Sequence, residues 1–179
     1  MARGTEIICG IDPGLRATGY GLLRVDRDAE GIELLEAGVL RPSSSGTLAL
    51  RLAELAAGLD ELFNENDVDV VAVEQVYSHY LRPRTAILMA HARGVILLEA
   101  ARHGIEVLNL PATTVKRHLT GNGRASKEQM QRAVAAALSM KSVPEPPDVA
   151  DALAMALCGV AVLSQPARLA MVNDDLLLE

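Results

Sequence analysis

Ile8-Cys9-Gly10-Ile11-Asp12-Pro13-Gly14 is the stretch on which the reading of this chain turns. Apolar residues at 7, 8, 9 and 11 describe a strand covered on both faces. Pro13 has no N–H to give to a sheet, and Gly14 tolerates a positive φ, so the strand must stop there. Asp12 is thereby fixed at the rim of an apolar core. A carboxylate in that position needs a cation, hydrogen bonds or a metal.

Working outward, residues 5–11, 17–25 and 32–41 read as three strands joined by short polar connections, hence antiparallel neighbours. Gly19 and Gly21 in the second predict a close backbone approach or a bend. A helix is expected from about 47 to 65, where Leu48, Leu52, Leu55, Leu59 and Leu62 recur at helical spacing. The run 68–73 then makes a strand that stops at Glu74. A helix between two strands is the right-handed crossover arrangement, so this strand lies parallel to the first. Parallel strands end at one edge of a sheet, and Asp12 and Glu74 share it.

The remainder reads as an exposed loop with Tyr77, His79 and Tyr80, a helix of 85–103, a strand of 105–110 and a helix of 112–119. The helix 85–103 is apolar almost all round and is the candidate subunit interface. A basic, glycine-rich loop, 120–127, leads into a helix of 127–139 that Ser126 and Gln129 should open as a capping box. The last helix, about 148–164, carries Asp148 and Asp151 on one face. Asp148 suits a helix N-cap. Asp151 is embedded in Val149-Ala150-Asp151-Ala152-Leu153-Ala154 and calls for a partner. If this helix packs on the edge that holds Asp12 and Glu74, four carboxylates meet. Their repulsion then demands cations, and hard oxygen ligands select Mg²⁺ or Mn²⁺. Two such ions suit phosphodiester hydrolysis.

Composition agrees. The net charge of −6 argues against nucleic acid only until it is divided. Residues 81–132 hold nine Lys or Arg against three Glu, a local +6, and the other 127 residues carry −12. Partner choice follows the local field. Arg82, Arg84, Arg117 and Arg124 are expected phosphate contacts by charge and placement. The two cysteines, Cys9 and Cys158, sit in apolar segments and read as buried thiols of a reducing compartment. No signal peptide or membrane span is read, and the expected location is cytoplasmic. His79, His91, His103 and His118 show no ligand spacing. One domain is expected over residues 1–165, followed by a loosely held tail of 166–179.

Ile11 to Gly21, Val73-Glu74-Gln75-Val76-Tyr77, Ala92-Arg93-Gly94 and Asp148 to Ala154 together resemble the RuvC family of bacterial Holliday-junction resolvases. The resemblance runs in order over about residues 5–165. It implies an RNase H-like α/β fold, a mixed five-stranded sheet flanked by helices. It implies a homodimer that nicks opposed strands of a four-way DNA junction in homologous recombination and repair, with Mg²⁺ or Mn²⁺ and RuvA and RuvB as partners. The family's metal-binding acids correspond to Asp12, Glu74, Asp148 and Asp151, and its junction-binding lysines to Lys116 and Lys127. Tyr77 stands where the family usually has a base-contacting Phe. Arg82-Pro83-Arg84-Thr85 departs from an Asn-x-x-Ser pattern and adds positive charge. The rival readings are an RNase H-like protein of the YqgF type and one lobe of an actin-like ATPase, for which the chain is too short.

Overall fold

The computed structural model describes residues 4–26, 31–75 and 83–164. Strand β1, Thr5–Asp12, is followed by β2, Thr18–Asp26, and β3, Gly31–Leu40. Helix α1, Leu48–Asn66, leads to β4, Val70–Glu74, and α2, Pro83–Arg102, to β5, Glu106–Leu110. Three helices complete the chain: α3, Ala112–Thr120, α4, Lys127–Ala137, and α5, Pro147–Leu163. The sheet runs β3-β2-β1-β4-β5. The first three strands pair antiparallel, and β4 and β5 add to β1 in parallel. No helix of the described residues is long and apolar enough to cross a membrane.

Alternation along β1 divides the core. Cys9 and Ile11 face α1 and α2, packing with Leu55, Leu59, Phe63, Ala92 and Ile96. Ile8 faces α5, with Leu153, Ala156 and Leu108. Gly10 and Asp12 share the Ile8 face, as Ala72 and Glu74 share the face of Val70. Both edge carboxylates therefore look toward the side on which α5 lies.

α5 reaches the sheet because glycine lets it. A Cβ on Gly10 would stand 2.0 Å from the Ala152 carbonyl oxygen, and one on Gly19 2.1 Å from that of Asp148. No side chain fits in that gap, so helix backbone rests on strand backbone. α5 is buried all round from Val149 to Val160 except at Asp151. Such a helix belongs in a core.

Local signals set the other helices. Thr47 caps α1, its Oγ1 accepting the Leu50 N–H at 3.3 Å. Ser126 and Gln129 form the capping box of α4. Asp148 is a correction: α5 begins one residue earlier, with Pro146 at the N-cap and Pro147 ahead of Asp148. Proline suits the first turn because its missing N–H would be unsatisfied there. The Asp148 carboxylate thus lies in the first turn without capping it.

Candidate active site

Asp12, Glu74, Asp148 and Asp151 line one cleft of about 840 Å³ at the C-terminal edge of β1 and β4. Two arrive on strand ends and two on the first turns of α5. The turn after Asp12 is held firmly. Thr18, fully buried, donates from Oγ1 to the Gly14 carbonyl at 2.7 Å, and Arg51 Nη2 donates to the Leu15 carbonyl at 2.8 Å.

Burial pushes the Asp12 carboxyl up to about 8, helped by the charges of Asp151, Glu74 and Asp148 and opposed by Lys127. Burial also raises Glu74, with Asp151 adding to it and Lys116 and Lys127 opposing. Asp151 is raised by burial, against the pull of Lys127 beside it. The group is a patch of crowded negative charge that the protein's own cations only partly offset.

Those cations are Lys116 and Lys127. Val115 anchors α3, and Met130 and Val134 anchor α4, against the α5 side of the core. That packing turns Lys116 and Lys127 into the cleft. Lys127 Nζ stands 3.5 Å from Asp151 Oδ2 and remains 73% exposed. Arg84 is exposed at the start of α2, next to the cleft residues Thr85, Leu88 and Met89. Arg117 and Arg124 are exposed but do not line the cleft. Tyr77 and Arg82 lie outside the described residues, as does the stretch 166–179.

Two cleft residues escape the sequence reading. Arg16 stands two residues after Gly14 of the Pro-Gly turn, a signal that was available. Arg51 reads only as a polar position on α1, and nothing in its spacing marks it. The basic block also divides. Arg102 pairs with Glu99 at 2.9 Å, and Arg132 Nε donates to the Glu128 carbonyl, so neither serves the cleft.

A second carboxylate group was not foreseen. Ligand atoms of Asp60, Glu99 and His103 lie within 4.8 Å of one another, at the far ends of α1 and α2. Glu99, on the last turn of α2, and His103, just past its end, are four apart, a spacing visible in the sequence. His103 Nε2 meets Asp60 Oδ1 at 2.8 Å, and His103 packs edge-on to Phe63.

The sheet order, with acids at one strand edge and a helix laid across them, defines an RNase H-like protein with a carboxylate-lined cleft. The family model described as crossover junction endodeoxyribonuclease RuvC matches residues 8–159. The protein of that name from Rhodopirellula baltica is 52% identical over 159 residues, 89% of this chain and 88% of the relative. RuvC of Thermus thermophilus superposes with a TM-score of 0.80 at 29% identity, covering 89% of this chain and 96% of that one. The same protein in complex with a Holliday-junction substrate gives 0.78 at 28% identity, over 88% and 95%. The chain belongs to the RuvC family of crossover junction endodeoxyribonucleases.

Proposed function

We propose that the four-carboxylate cleft is the cutting site of a Holliday-junction resolvase that nicks two opposed strands symmetrically. Family membership carries the activity, an endodeoxyribonuclease of four-way junctions in recombination and repair, and the YqgF-type reading is not favoured. The observation that carries the site is Asp12, half-buried at the strand end and crowded by three further carboxylates.

The donor set fits hard divalent cations. All four side chains offer oxygen, no histidine or cysteine joins the cleft lining among the described residues, and mutual repulsion favours a dication. Mg²⁺ or Mn²⁺, two per site, would be held by Asp12, Glu74, Asp148 and Asp151. Bound there, such ions activate water and neutralise charge on the attacking and leaving oxygens of a phosphodiester. Asp12 and Asp151 would hold the ions between them. Glu74 anchors one side, and Asp148 completes the set or orients water. Lys116 and Lys127 take the scissile strand's phosphates, Lys127 leaving Asp151 to do so. Arg82, Arg84, Arg117 and Arg124 extend the phosphate path, and Tyr77 offers a ring for base stacking. Products carry 5′-phosphate and 3′-hydroxyl ends.

Two opposed nicks require two sites, and the homodimer is the simplest source of both. Supporting it, α2 leaves Ile87 56% and Leu98 50% exposed, with Leu88 beside them. RuvA and RuvB are the proposed partners and the cytoplasm the proposed location, with residues 1–165 as the nuclease domain. The test is cleavage of a labelled mobile four-way junction beside a linear duplex of the same sequence, in Mg²⁺ or Mn²⁺. Paired symmetric nicks in the junction alone are expected. Cleavage of the duplex, or binding without cleavage in either metal, overturns the reading.

A further inference from the structure

Arg93 belongs to the basic block, yet it turns inward. Its Nε donates to the Glu74 carbonyl oxygen at 3.1 Å, and its Nη2 donates to Asn109 Oδ1. Asn109 is itself buried, 4% exposed, near the end of β5. Nothing in packing alone requires a guanidinium to reach the backbone of a strand end. The ladder explains why one is needed.

In a parallel ladder, the N–H and C=O of successive residues face opposite neighbours. The Gln75 N–H donates to the Leu110 carbonyl at 3.0 Å, so Gln75 faces β5 and Glu74 faces β1. Ile11 stands opposite Val73, which sets Asp12 beside Glu74. The next donor that β1 owes to the Glu74 carbonyl is then the N–H of residue 13. Pro13 has none. The proline that ends β1 at Asp12 therefore leaves the neighbouring strand end one hydrogen bond short, at the residue that carries the second carboxylate.

We propose that Arg93 is a positioning residue for Glu74: its guanidinium, latched by Asn109, supplies the donor that Pro13 withholds and fixes the strand end that presents Glu74 to the metal site. This rests on the proposed reading of Glu74 as a metal ligand. The bond reaches the main chain, so it orients the carboxylate without consuming it. Groups that orient ligands from behind typically change metal affinity or activity by about 10–100-fold when lost.

The experiment compares wild type, Arg93→Ala, Asn109→Ala and Glu74→Gln in the full chain. It measures kcat and junction Kd separately, and Mn²⁺ binding by calorimetry without DNA. Arg93→Ala is expected to lower kcat and weaken Mn²⁺ binding by about 10–100-fold each, with junction Kd changed less than about threefold. A folded Arg93→Ala with kcat and Mn²⁺ binding within about twofold of wild type overturns the proposal, even if its Tm is lower. Where Arg93→Ala does not fold, Asn109→Ala frees the guanidinium in place. Weaker Mn²⁺ binding then supports the latch, and unchanged binding overturns it. Glu74→Gln separates the two readings. If it keeps cleavage and Mn²⁺ binding, Glu74 is no ligand and the premise fails. If it loses both while Arg93→Ala keeps both, only the role of Arg93 fails.

Discussion

Among the described residues, two groups of acids on packed helices and strands are built on opposite terms. At the far ends of α1 and α2, each carboxylate has a basic neighbour at hydrogen-bond distance: Asp60 has His103 at 2.8 Å and Glu99 has Arg102 at 2.9 Å. Glu99 can be buried because that partner comes from its own helix. At the sheet edge, Asp12, Glu74, Asp148 and Asp151 crowd one another with Lys116 and Lys127 offsetting them in part, and Asp12 is driven up to about 8. About 20 Å of helix separates the two groups, taking α2 from Thr85 to Glu99 at 1.5 Å per residue. A set of acids that carries its own cations ties helices together. A set short of them calls for an added cation, which is what the proposed cutting site requires.

The sharpest way to break the contrast is to remove charge from the crowded group. Asp12→Asn should lower cleavage by about a thousandfold or more, a barrier increase of about 4 kcal/mol, while junction binding persists. Retained metal-dependent cleavage by this variant would remove Asp12 from the site. The same variant should be more stable than wild type in metal-free buffer at pH 8. In the folded state Asp12 keeps its proton to about 8, whereas the unfolded chain releases it near 3.8. The folded state therefore binds more protons between those values, and wild-type stability falls as pH rises through that window. Denaturant unfolding in chelator across pH 4–8 reads the slope, which Asn at position 12 should flatten and Mn²⁺ should offset.

Next in size is the joint that brings the two halves of the group together. Gly10→Ala drives a methyl into the Ala152 carbonyl, so α5 must move off the sheet. We expect a loss of about 1–3 kcal/mol in unfolding free energy and a greater loss of cleavage than of junction binding. Unchanged cleavage would show that the position of α5 is not critical.

A smaller effect follows from the lysines. Lys127→Ala should weaken junction binding and reduce the slope of log K against log salt by about 0.9, the share of one phosphate contact. It should also move the pH dependence of cleavage upward, because Lys127 holds Asp12, Glu74 and Asp151 down. An unchanged salt slope excludes Lys127 from the phosphate path. The smallest effect is expected at the balanced group. His103→Gln should cost less than about 1 kcal/mol, since Asp60 is largely exposed, and should leave cleavage unaltered. A large loss of cleavage there would erase the distinction between the two groups.

Much of this was legible from residues. The apolar runs ending at Asp12 and Glu74, with a helix between them, were enough for parallel strands and a shared edge, because crossover handedness and side-chain alternation are properties of any chain. Ser126 and Gln129 announced their capping box for the same local reason. Gly19 and Gly21 announced a close approach or a bend, and the approach is that of α5. The resemblance to the RuvC family added the two lysines to four acids already read from strand ends and helix spacing.

What the sequence determined by itself was therefore the strand ends, the helices and the acids that sit on them, all set within a few residues by proline, glycine and apolar spacing. Only the tertiary structure decided which charges face one another. It laid α5 on the face shared by Gly10 and Asp12, so that Asp148 and Asp151 joined the edge. It also dispersed the basic block, sending Lys116 and Lys127 into the cleft, Arg102 to Glu99 and Arg93 to the Glu74 carbonyl. The physical reason is range. Backbone preferences act over a turn or a strand, but a charge is worth what its neighbours in space make it, and those neighbours come from packing.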